Sequence, residues 1–343
     1  MEKAPRVSFI VPIHNGEKLM HLALDSILAQ TEQDFEVLAV NHRSSDGTAA
    51  VLEEYAKKWP DKIRTFAINT GTTASTPKNL ALKNAKGSYI AFIDCDDRIS
   101  PDYLQKMLAV SENDSVEMIG CGVASVTEQG EIVSTSILRE NRETGDFAYY
   151  RHGAATAALV RRDFLLKNAL FFPENKLPED VIYSNAVAYL ANKRVLIDDI
   201  GYYYIAHPGS VTHNGGFSSF SQEQMPLDEY ESDLPVIFKT ASVNPVETYQ
   251  YALILSMWAL SFVFCRHSST RNIAQITRRC SKMVRLYALP MVSSPMVYHI
   301  GRFKNELGLY VRLGVCAYAC SLRLHLEVPF ACATGFLFKL LRR

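Results

Sequence analysis

An apolar run followed at once by acidic residues reads Tyr89-Ile90-Ala91-Phe92-Ile93-Asp94-Cys95-Asp96-Asp97. The apolar part predicts a buried strand, and three carboxylates gather where that strand would end. The carboxyl ends of strands in an open α/β sheet are where ligands bind, and clustered carboxylate oxygens are the ligands that Mg²⁺ and Mn²⁺ prefer. The alternative is a polar turn that caps the next helix, since Ser100 is followed by Pro101. That alternative leaves the three carboxylates unexplained.

Strand and helix patterns alternate on the N-terminal side of this run. Runs rich in Val, Ile and Phe predict strands at 7–13, 35–40, 63–68 and 89–94. Apolar residues at three-and-four spacing, or stretches of comparable length, predict helices at 19–30, 47–58 and 76–86. This alternation predicts a Rossmann-like open sheet with parallel pairing and right-handed crossovers. No Gly-x-Gly-x-x-Gly motif follows the first strand, so an ordinary dinucleotide fingerprint is absent.

The C-terminal side of the run changes character twice. Helices are predicted at about 101–112 and 180–192, and strands at 116–127, 132–137, 156–162 and 195–205. The Gly- and Ser-rich residues 208–221 predict a mobile loop that could act as a lid. From Pro245 the pattern is helical only. Residues 248–265 carry no charge over 18 positions, which is the lower limit for crossing a bilayer, and a buried hairpin helix is the alternative.

Charge is distributed unevenly along a chain whose formal net charge is zero. From Arg266 to the C-terminus there are 13 Lys and Arg residues but only two acids, Glu306 and Glu327. The basic, aromatic-rich tail favours an anionic partner, either lipid or nucleic acid. Its helical stretches 310–326 and 330–343 alternate apolar and basic residues, which is typical of helices at a membrane interface, although a solvated basic face is the alternative. The seven cysteines lack paired short spacings and favour a reducing compartment.

A second acidic pair, Glu179-Asp180, stands where the helix at 180–192 begins. Carboxylates at a helix N-terminus are favoured by the helix macrodipole, so capping alone could account for them. The functional interpretation is a general base that takes a proton from an attacking hydroxyl group. The pair does not decide between these two by itself.

Taken together, the segments resemble the family 2 glycosyltransferases of GT-A fold, over roughly residues 5 to 215. Residues 7–17 look like the opening strand of that family and its Pro-x-Tyr-Asn turn, with His14 in place of Tyr. Residues 24–31 and 34–36 are similar to its first helix and second strand, and 85–97 match its metal-binding DxD strand. Glu179-Asp180 stands at the place of its acidic catalytic pair, and 203–212 look like its closing strand and Ser-x-Thr loop.

The resemblance implies a fold and a reaction. The expected fold is α/β: a GT-A Rossmann-like mixed sheet flanked by helices, with an all-α C-terminal extension. Residues 1–221 would form the nucleotide-sugar-binding and catalytic domain, and 222–343 a helical, basic, membrane-associated region. The expected reaction is inverting transfer of a sugar from a nucleotide-diphosphate donor, with a UDP-sugar favoured. Mn²⁺ or Mg²⁺ would neutralise the departing diphosphate.

The resemblance also implies roles for individual residues. Asp180 would be the catalytic base, with Glu179 beside it. Metal ligands would be Asp96, Asp94 and His213. His207 and His213 both follow the closing strand, where a surface histidine without such a role is the alternative. Residues expected to bind the nucleotide sugar are Pro12, His14, Asn15, Glu17, Asn41, His42, Lys78, Asp94, Cys95 and Asp96.

Besides His14, three further departures from the family pattern stand in the nucleotide-binding segments. His42 replaces the acidic residue of the turn after the second strand, and Arg43 replaces its glycine. Lys78 stands where the family has Arg, so a positive charge remains without the planar fork that grips a phosphate. These changes motivate an alternative function, a catalytically silent homologue that acts as a binding or scaffold subunit of a polysaccharide assembly complex. The retained Asp94, Asp96, Glu179 and Asp180 oppose it.

The partners expected of an active enzyme follow from the same features. They are a nucleotide-sugar donor, a saccharide or lipid-linked acceptor in cell-surface polysaccharide synthesis, and an anionic membrane surface bound by the C-terminal helices. Nucleic acid is not expected, because the tail interleaves its charges with Leu, Phe, Tyr and Cys. The predicted location is cytoplasmic and peripheral, on the inner face of the cell membrane.

Overall fold

The structure is a computed structural model that describes residues 4–137, 155–207, 220–240, 246–299 and 309–341. The described residues form two compact units. The first contains 4–137, 155–175 and 186–207, and the second contains 176–185, 220–240, 246–299 and 309–341. The predicted domain boundary after residue 221 stays a prediction.

A mixed β-sheet organises the first unit. Its strands are β1 (Val7–Ile13), β2 (Phe35–His42), β3 (Ile63–Ile68), β4 (Tyr89–Phe92), β5 (Arg98–Ile99), β6 (Met118–Val126), β7 (Ile132–Ser136), β8 (Ala158–Arg161) and β9 (Arg194–Ile205). They lie in the order β3-β2-β1-β4-β8-β6-β9-β5, with β7 paired to β6. The four strands β1 to β4 pair in parallel, whereas β8 pairs antiparallel with both β4 and β6. The predicted mixed GT-A sheet is therefore confirmed.

Six helices of the described residues lie wholly or partly in this unit, and the first three pack against strands β1, β2 and β3. They are α1 (Met20–Leu28), α2 (Thr48–Lys58), α3 (Ser75–Asn84), α4 (Tyr103–Ala109), α5 (Arg162–Lys167) and α6 (Glu179–Leu190). Every residue of β1 and β4 is buried, as expected for strands covered on both faces. The capping interpretation of Ser100 was wrong in its position, because α4 begins at Tyr103 and the Ser100 hydroxyl instead donates to Asp102.

The second unit is helical in its described part. Its helices are α7 (Leu227–Thr240), α8 (Val246–Trp258), α9 (Thr270–Tyr287), α10 (Leu289–Val292), α11 (Pro295–Tyr298), α12 (Leu309–Arg323) and α13 (Glu327–Leu341). The uncharged run 248–265 lies mainly in α8 and a π-helical turn at Ala259–Val263, where Leu253, Met257 and Leu260 are buried. Across the described ranges, no helix combines the length and the apolar character needed to cross a membrane. The predicted loop 208–221 falls largely outside the described residues.

A buried carboxyl group joins the end of β4 to β9. Asp97 is almost completely buried, and its Oδ2 accepts a hydrogen bond from the Tyr202 hydroxyl at 2.6 Å. Its Oδ1 accepts from the backbone N–H of Ile205 at 2.9 Å. The Tyr202 oxygen in turn lies 3.3 Å from the backbone nitrogen of Asp94, which donates to it. Burial, followed by the charge of Asp97, raises the pKa of Tyr202 well above its usual value, so this hydroxyl keeps its proton.

We expect Tyr202→Phe to lower the free energy of unfolding by about 1–3 kcal/mol, because it leaves a buried carboxyl oxygen without its donor. Urea unfolding followed by circular dichroism measures this loss. Tyr103→Phe is the matched control, since the buried Tyr103 hydroxyl has no hydrogen-bond partner in the described part of the chain. Equal effects of the two substitutions would contradict the assigned role of Tyr202.

Candidate functional site

The carboxyl ends of β1 and β2 lie side by side because Ile13 pairs with Asn41. His14 follows β1, and its Nδ1 lies 2.7 Å from the backbone carbonyl oxygen of His42. The ring of His42 is buried, and its Nε2 lies 2.9 Å from the carbonyl oxygen of Thr70. Because a carbonyl oxygen only accepts, each of these two nitrogens carries a proton and donates it. The second nitrogen of each neutral ring is then an acceptor.

The turn that precedes α2 is held by residues that follow β1. The backbone N–H of Ser45 donates to Asn15 Oδ1 at 2.8 Å, and that of Gly47 donates to Glu17 Oε2 at 3.0 Å. Asn15 itself has a positive φ of 50°, a conformation that Asn tolerates better than most residues. The side chains of Asn15 and Glu17 thus fix the turn, and their predicted contact with a nucleotide stays a prediction.

Arg43 occupies a backbone conformation that favours glycine. Its φ is 55°, in the left-handed region, so the glycine that the family carries here would adopt it at lower cost. The Arg43 guanidinium donates to the backbone carbonyl oxygen of Gly71 at 2.9 Å. His42 and Arg43 therefore both bind the segment that follows β3, at adjacent carbonyl groups. The two departures from the family pattern have a common structural effect.

Asn41 offers an unsatisfied acceptor at the same edge of the sheet. Its side-chain Oδ1 is buried and has no hydrogen-bond partner among the described residues. A buried carbonyl oxygen without a donor costs about 1–3 kcal/mol, which a ligand that supplies an N–H group would recover. Asn41 is therefore a candidate contact for a nitrogen-rich ring.

The carboxylate turn after β4 separates its acidic residues by role. The carboxyl group of Asp97 points inward to Tyr202, as described above. Burial, and then the negative charge of Asp94, raise the pKa of Asp97 to about 8. Burial likewise raises the pKa of the Cys95 thiol well above its usual value, so the sulfur stays protonated. The carboxyl group of Asp97 is thus a structural group, which leaves Asp94 and Asp96 as the carboxylates for a ligand. The predicted nucleotide-sugar contact of Cys95 stays a prediction.

His207 meets Asp96 at the end of β9. Its Nε2 lies 2.8 Å from Asp96 Oδ2, and the Asp96 side chain keeps about a third of its surface exposed. The contact follows from the bond between Asp97 and Ile205, which fixes the end of β9 beside the carboxylate turn. Of the two histidines considered from the sequence, His207 is thus at the turn, and His213 falls outside the described residues.

A carboxylate and an imidazole are both ligands of divalent cations in proteins. Asp96 and His207 therefore fit such a cation as two of its ligands, and Asp94 stands two positions away in the same turn. Within the described ranges, however, no group of three or more His, Cys, Asp or Glu side chains is arranged to hold a metal ion. Mg²⁺ commonly keeps several waters and takes further oxygens from a bound phosphate, so a partial protein set is compatible with it.

Lys78 and Pro12 are less accessible than the sequence suggested. Pro12 lies within the fully buried β1. Lys78 is 2% exposed, and its Nζ lies 4.8 Å from the centre of the Phe172 ring, in a cation–π contact. Its neighbour Asn79 donates to the Phe172 carbonyl oxygen and to Glu174, at 2.9 and 2.8 Å. The predicted phosphate contact of Lys78 stays a prediction.

Glu179 and Asp180 open α6, and they belong to the second unit. Glu179 is mostly buried, while Asp180 is intermediate in exposure. Two acids in the first turn of a helix are favoured by its macrodipole, as the sequence suggested. Their catalytic roles stay predictions.

Comparison with known proteins identifies a family domain in part of the chain. Residues 8–165 match the sequence model described as Glycosyl transferase family 2. Residues 8–165 therefore form a family 2 glycosyltransferase domain, as predicted from the sequence.

Curated relatives share between a quarter and a third of the aligned residues. The uncharacterized glycosyltransferase EpsJ of Bacillus subtilis is 29% identical over 61% of this chain and 63% of its own length. The poly(ribitol-phosphate) beta-glucosyltransferase of Bacillus spizizenii is 29% identical over 58% of this chain and 32% of its own length. TarS of Staphylococcus aureus, a poly(ribitol-phosphate) beta-N-acetylglucosaminyltransferase, is 26% identical over 76% of this chain and 45% of its own length. The chain thus spans less than two thirds of each of these three relatives.

Solved structures support the fold. S. aureus TarS 1–349 in complex with UDP-GlcNAc has a TM-score of 0.71 and 21% identity, covering 98% of this chain and 92% of that one. The mannosyltransferase PcManGT of Pyrobaculum calidifontis, in complex with GDP-Man and Mn²⁺, has a TM-score of 0.50 and 15% identity, covering 93% of this chain and 88% of that one. The GT-A architecture predicted from the sequence agrees with both.

Sequence reasoning missed two residues that shape the site. Tyr202 was not singled out within the predicted strand 195–205, although its hydroxyl joins Asp94 and Asp97. Thr70 was not considered, because its contribution is a backbone carbonyl group that any residue has. The run of three tyrosines at the end of a predicted buried strand was the available signal for Tyr202, since a buried tyrosine hydroxyl needs a partner.

The raised pKa of Asp97 predicts how stability depends on pH. Its carboxyl group keeps a proton up to about pH 8 in the folded protein but releases it near its ordinary pKa of 3.8 when the chain unfolds. The folded state binds the extra proton between these values, so its contribution to the free energy of unfolding falls as pH rises through them. We expect Asp97→Asn, which resembles the neutral carboxyl group, to flatten that fall. Urea unfolding at a series of pH values tests this, and an unchanged slope would contradict it.

Proposed function

We propose that this protein is an inverting glycosyltransferase that moves a hexose from a nucleotide-diphosphate donor to a hydroxyl group of a saccharide or lipid-linked acceptor. The observation that carries the proposal is the meeting of Asp96 and His207 at the carboxyl end of β4. The buried acceptor groups at the ends of β1 and β2 lie at the same edge of the sheet, where open α/β sheets bind ligands. Membership of the family supports the same reaction class.

The donor favoured by the β1–β2 edge is a UDP-sugar. Asn41 Oδ1 is an unsatisfied acceptor, and Nδ1 of neutral His42 is a second one. Uracil and guanine each present a ring N–H donor, whereas cytosine presents a ring acceptor at the corresponding position, so these groups favour uracil over cytosine. The likeness to TarS, solved with UDP-GlcNAc, supports this choice. The proposed contacts of Pro12, His14, Asn15, Glu17 and Lys78 belong to the same site.

A divalent cation, Mn²⁺ or Mg²⁺, would be held by Asp96 with His207, and with Asp94 or His213 as further candidates. When bound, it would supply positive charge to the leaving diphosphate. The present hydrogen bond between His207 Nε2 and Asp96 must then be given up, because a ligating nitrogen uses the lone pair that the proton now occupies.

Inversion requires a base on the side of the acceptor. In the proposed step the acceptor oxygen forms a bond to the anomeric carbon, while the bond from that carbon to the diphosphate oxygen breaks. The hydroxyl proton passes to the carboxylate of Asp180, and Glu179 lies beside it in the first turn of α6. The resulting products are the glycosylated acceptor and a nucleoside diphosphate.

The acceptor is proposed to belong to cell-surface polysaccharide synthesis. Two curated relatives, the Bacillus spizizenii enzyme and TarS, are named for transfer to poly(ribitol-phosphate). Each aligns with only part of this chain. All seven cysteines are free thiols, which supports a reducing cytoplasmic location. We assign this chemistry to residues 1–221, with 222–343 as an accessory helical region.

Asp96→Ala tests the donor site. We expect it to abolish metal-dependent binding of UDP and to lower kcat/KM by about 100-fold or more, because it removes a proposed ligand of the cation. Calorimetry with UDP, GDP and CDP, with Mn²⁺ and after chelation, measures binding and identifies the base. Asp163→Ala is the matched control, since that carboxylate is highly exposed.

Three results would separate the possibilities. Binding of UDP that is lost in the variant but not in the control supports the donor site. Binding of GDP alone would contradict the choice of a UDP-sugar, and binding of CDP alone would contradict the assignment of Asn41 and His42. If none of the nucleotides binds, the protein is the silent scaffold subunit instead.

Asp180→Asn tests the base separately. We expect kcat to fall by about 10²–10⁴-fold while UDP binding stays unchanged, because proton transfer is lost but the donor site is intact. Glu179→Gln, at the adjacent position, should have the smaller effect on kcat. Steady-state kinetics with a UDP-sugar donor measures both variants, and a larger loss in Glu179→Gln would exchange the two roles.

A further inference from the structure

One end of the helical unit brings three helix termini together. Arg285, near the C-terminus of α9, donates to the backbone carbonyl oxygen of Leu322 at 2.9 Å and to Glu327 Oε1 at 3.0 Å. Leu322 lies near the C-terminus of α12, and Glu327 is the first residue of α13. Residues that adjoin these contacts along the chain therefore lie at the same end of the unit.

Four leucines are exposed at this end. Leu286 and Leu289 lie at the end of α9 and the start of α10, and Leu324 and Leu326 form the connection between α12 and α13. Each exposes half to two thirds of its surface. Single exposed leucines are ordinary, but a group of them at one place marks an interaction site. We call these four residues the leucine end.

The apolar faces of the same helices are already used within the unit. On α12, Val315, Tyr318 and Leu322 are buried, and Tyr318 stacks edge-on against Phe262 at 5.4 Å. On α9, Ile276 and Met283 are buried in the same way. The helices thus bury many of their apolar side chains against one another, while the leucine end stays exposed, as do Leu309, Tyr310 and Leu313 on α12 and Phe336 on α13.

Charge around the leucine end is positive. Lys282 and Arg323 are exposed and flank the leucines, while Glu327 is neutralised by Arg285. The sequence from Arg266 onward has 13 Lys and Arg residues against two acids. A second copy of this chain would bring the same cations together, so self-association through this end is disfavoured. The partner should be anionic and should accept aliphatic side chains.

We propose that the leucine end binds the surface of an anionic lipid bilayer. Leu286, Leu289, Leu324 and Leu326 enter the boundary between headgroups and acyl chains, and Lys282 and Arg323 meet lipid phosphates. Apolar insertion beside basic residues is the combination by which monotopic proteins hold a membrane. The contact is the end of the helices rather than their long faces, and it does not depend on sugar transfer.

Vesicle flotation of the full chain tests the proposal. We expect the wild type to float with phosphatidylcholine vesicles that contain phosphatidylglycerol and to bind pure phosphatidylcholine more weakly. Leu324→Ser/Leu326→Ser should weaken partitioning by at least about tenfold, because each leucine loses favourable transfer from water. Lys282→Gln/Arg323→Gln should lose the preference for anionic vesicles.

A matched pair of leucines controls for exposed apolar surface in general. Leu309 and Leu313 are about half exposed at the opposite end of α12, so Leu309→Ser/Leu313→Ser should leave flotation unchanged. Circular dichroism and UDP binding identify any variant that fails to fold. No flotation of the wild type, or an equal loss in both double variants, would overturn the proposal. A dimer seen by light scattering that only Leu324→Ser/Leu326→Ser dissociates would assign the leucine end to a second copy instead.

Discussion

The buried carboxyl group of Asp97 is the contact on which the site depends. It accepts from the Tyr202 hydroxyl and from the Ile205 backbone, and so fixes the end of β9 against the turn after β4. That attachment brings His207 to Asp96, although 111 positions separate the two in the chain. A neutral carboxyl group suits this position, because burial and the charges of Asp94 and Asp96 both disfavour a negative charge there. Asp97 therefore has a structural role, and its contacts place Asp96 where it can face a ligand.

Two of the residues that depart from the family pattern, His42 and Arg43, also have structural contacts. His42 and Arg43 appeared from the sequence to damage a nucleotide-binding turn, since an acid and a glycine are missing. In the structure each side chain binds a backbone carbonyl group of the segment after β3, at Thr70 and Gly71. A carboxylate could not make the bond to Thr70, because both oxygens would be acceptors. His42 and Arg43 therefore attach the turn after β2 to the segment after β3. The Oδ1 atom of Asn41, at the same edge of the sheet, is left without a hydrogen-bond donor among the described residues.

Local elements of the first unit followed from the sequence, while the partners of individual side chains did not. The bounds of β1 and β3 agree with the predicted 7–13 and 63–68, because short apolar runs between turn signals leave little choice. The roles of Asp94, Asp96 and Asp97 could not be assigned in the same way. β4 ends at Phe92, so the carboxylates lie in a turn, where strand alternation no longer indicates which side chain points inward. Their roles are decided by β9, about a hundred residues later.

The C-terminal helices illustrate the same limit at the scale of whole elements. Alternating apolar and basic residues in α12 and α13 predicted amphipathic faces, and an amphipathic face has two possible partners, lipid or another helix. In the structure the apolar face of α12 packs within the helical unit, since Tyr318 and Leu322 are buried. The four leucines of the leucine end lie where helices end, and those ends are held together by contacts such as the one between Arg285 and Glu327. Hydrophobic periodicity predicts which face of a helix is apolar, but it does not predict which helix ends lie together. A surface formed by helix ends can therefore be identified only from the structure.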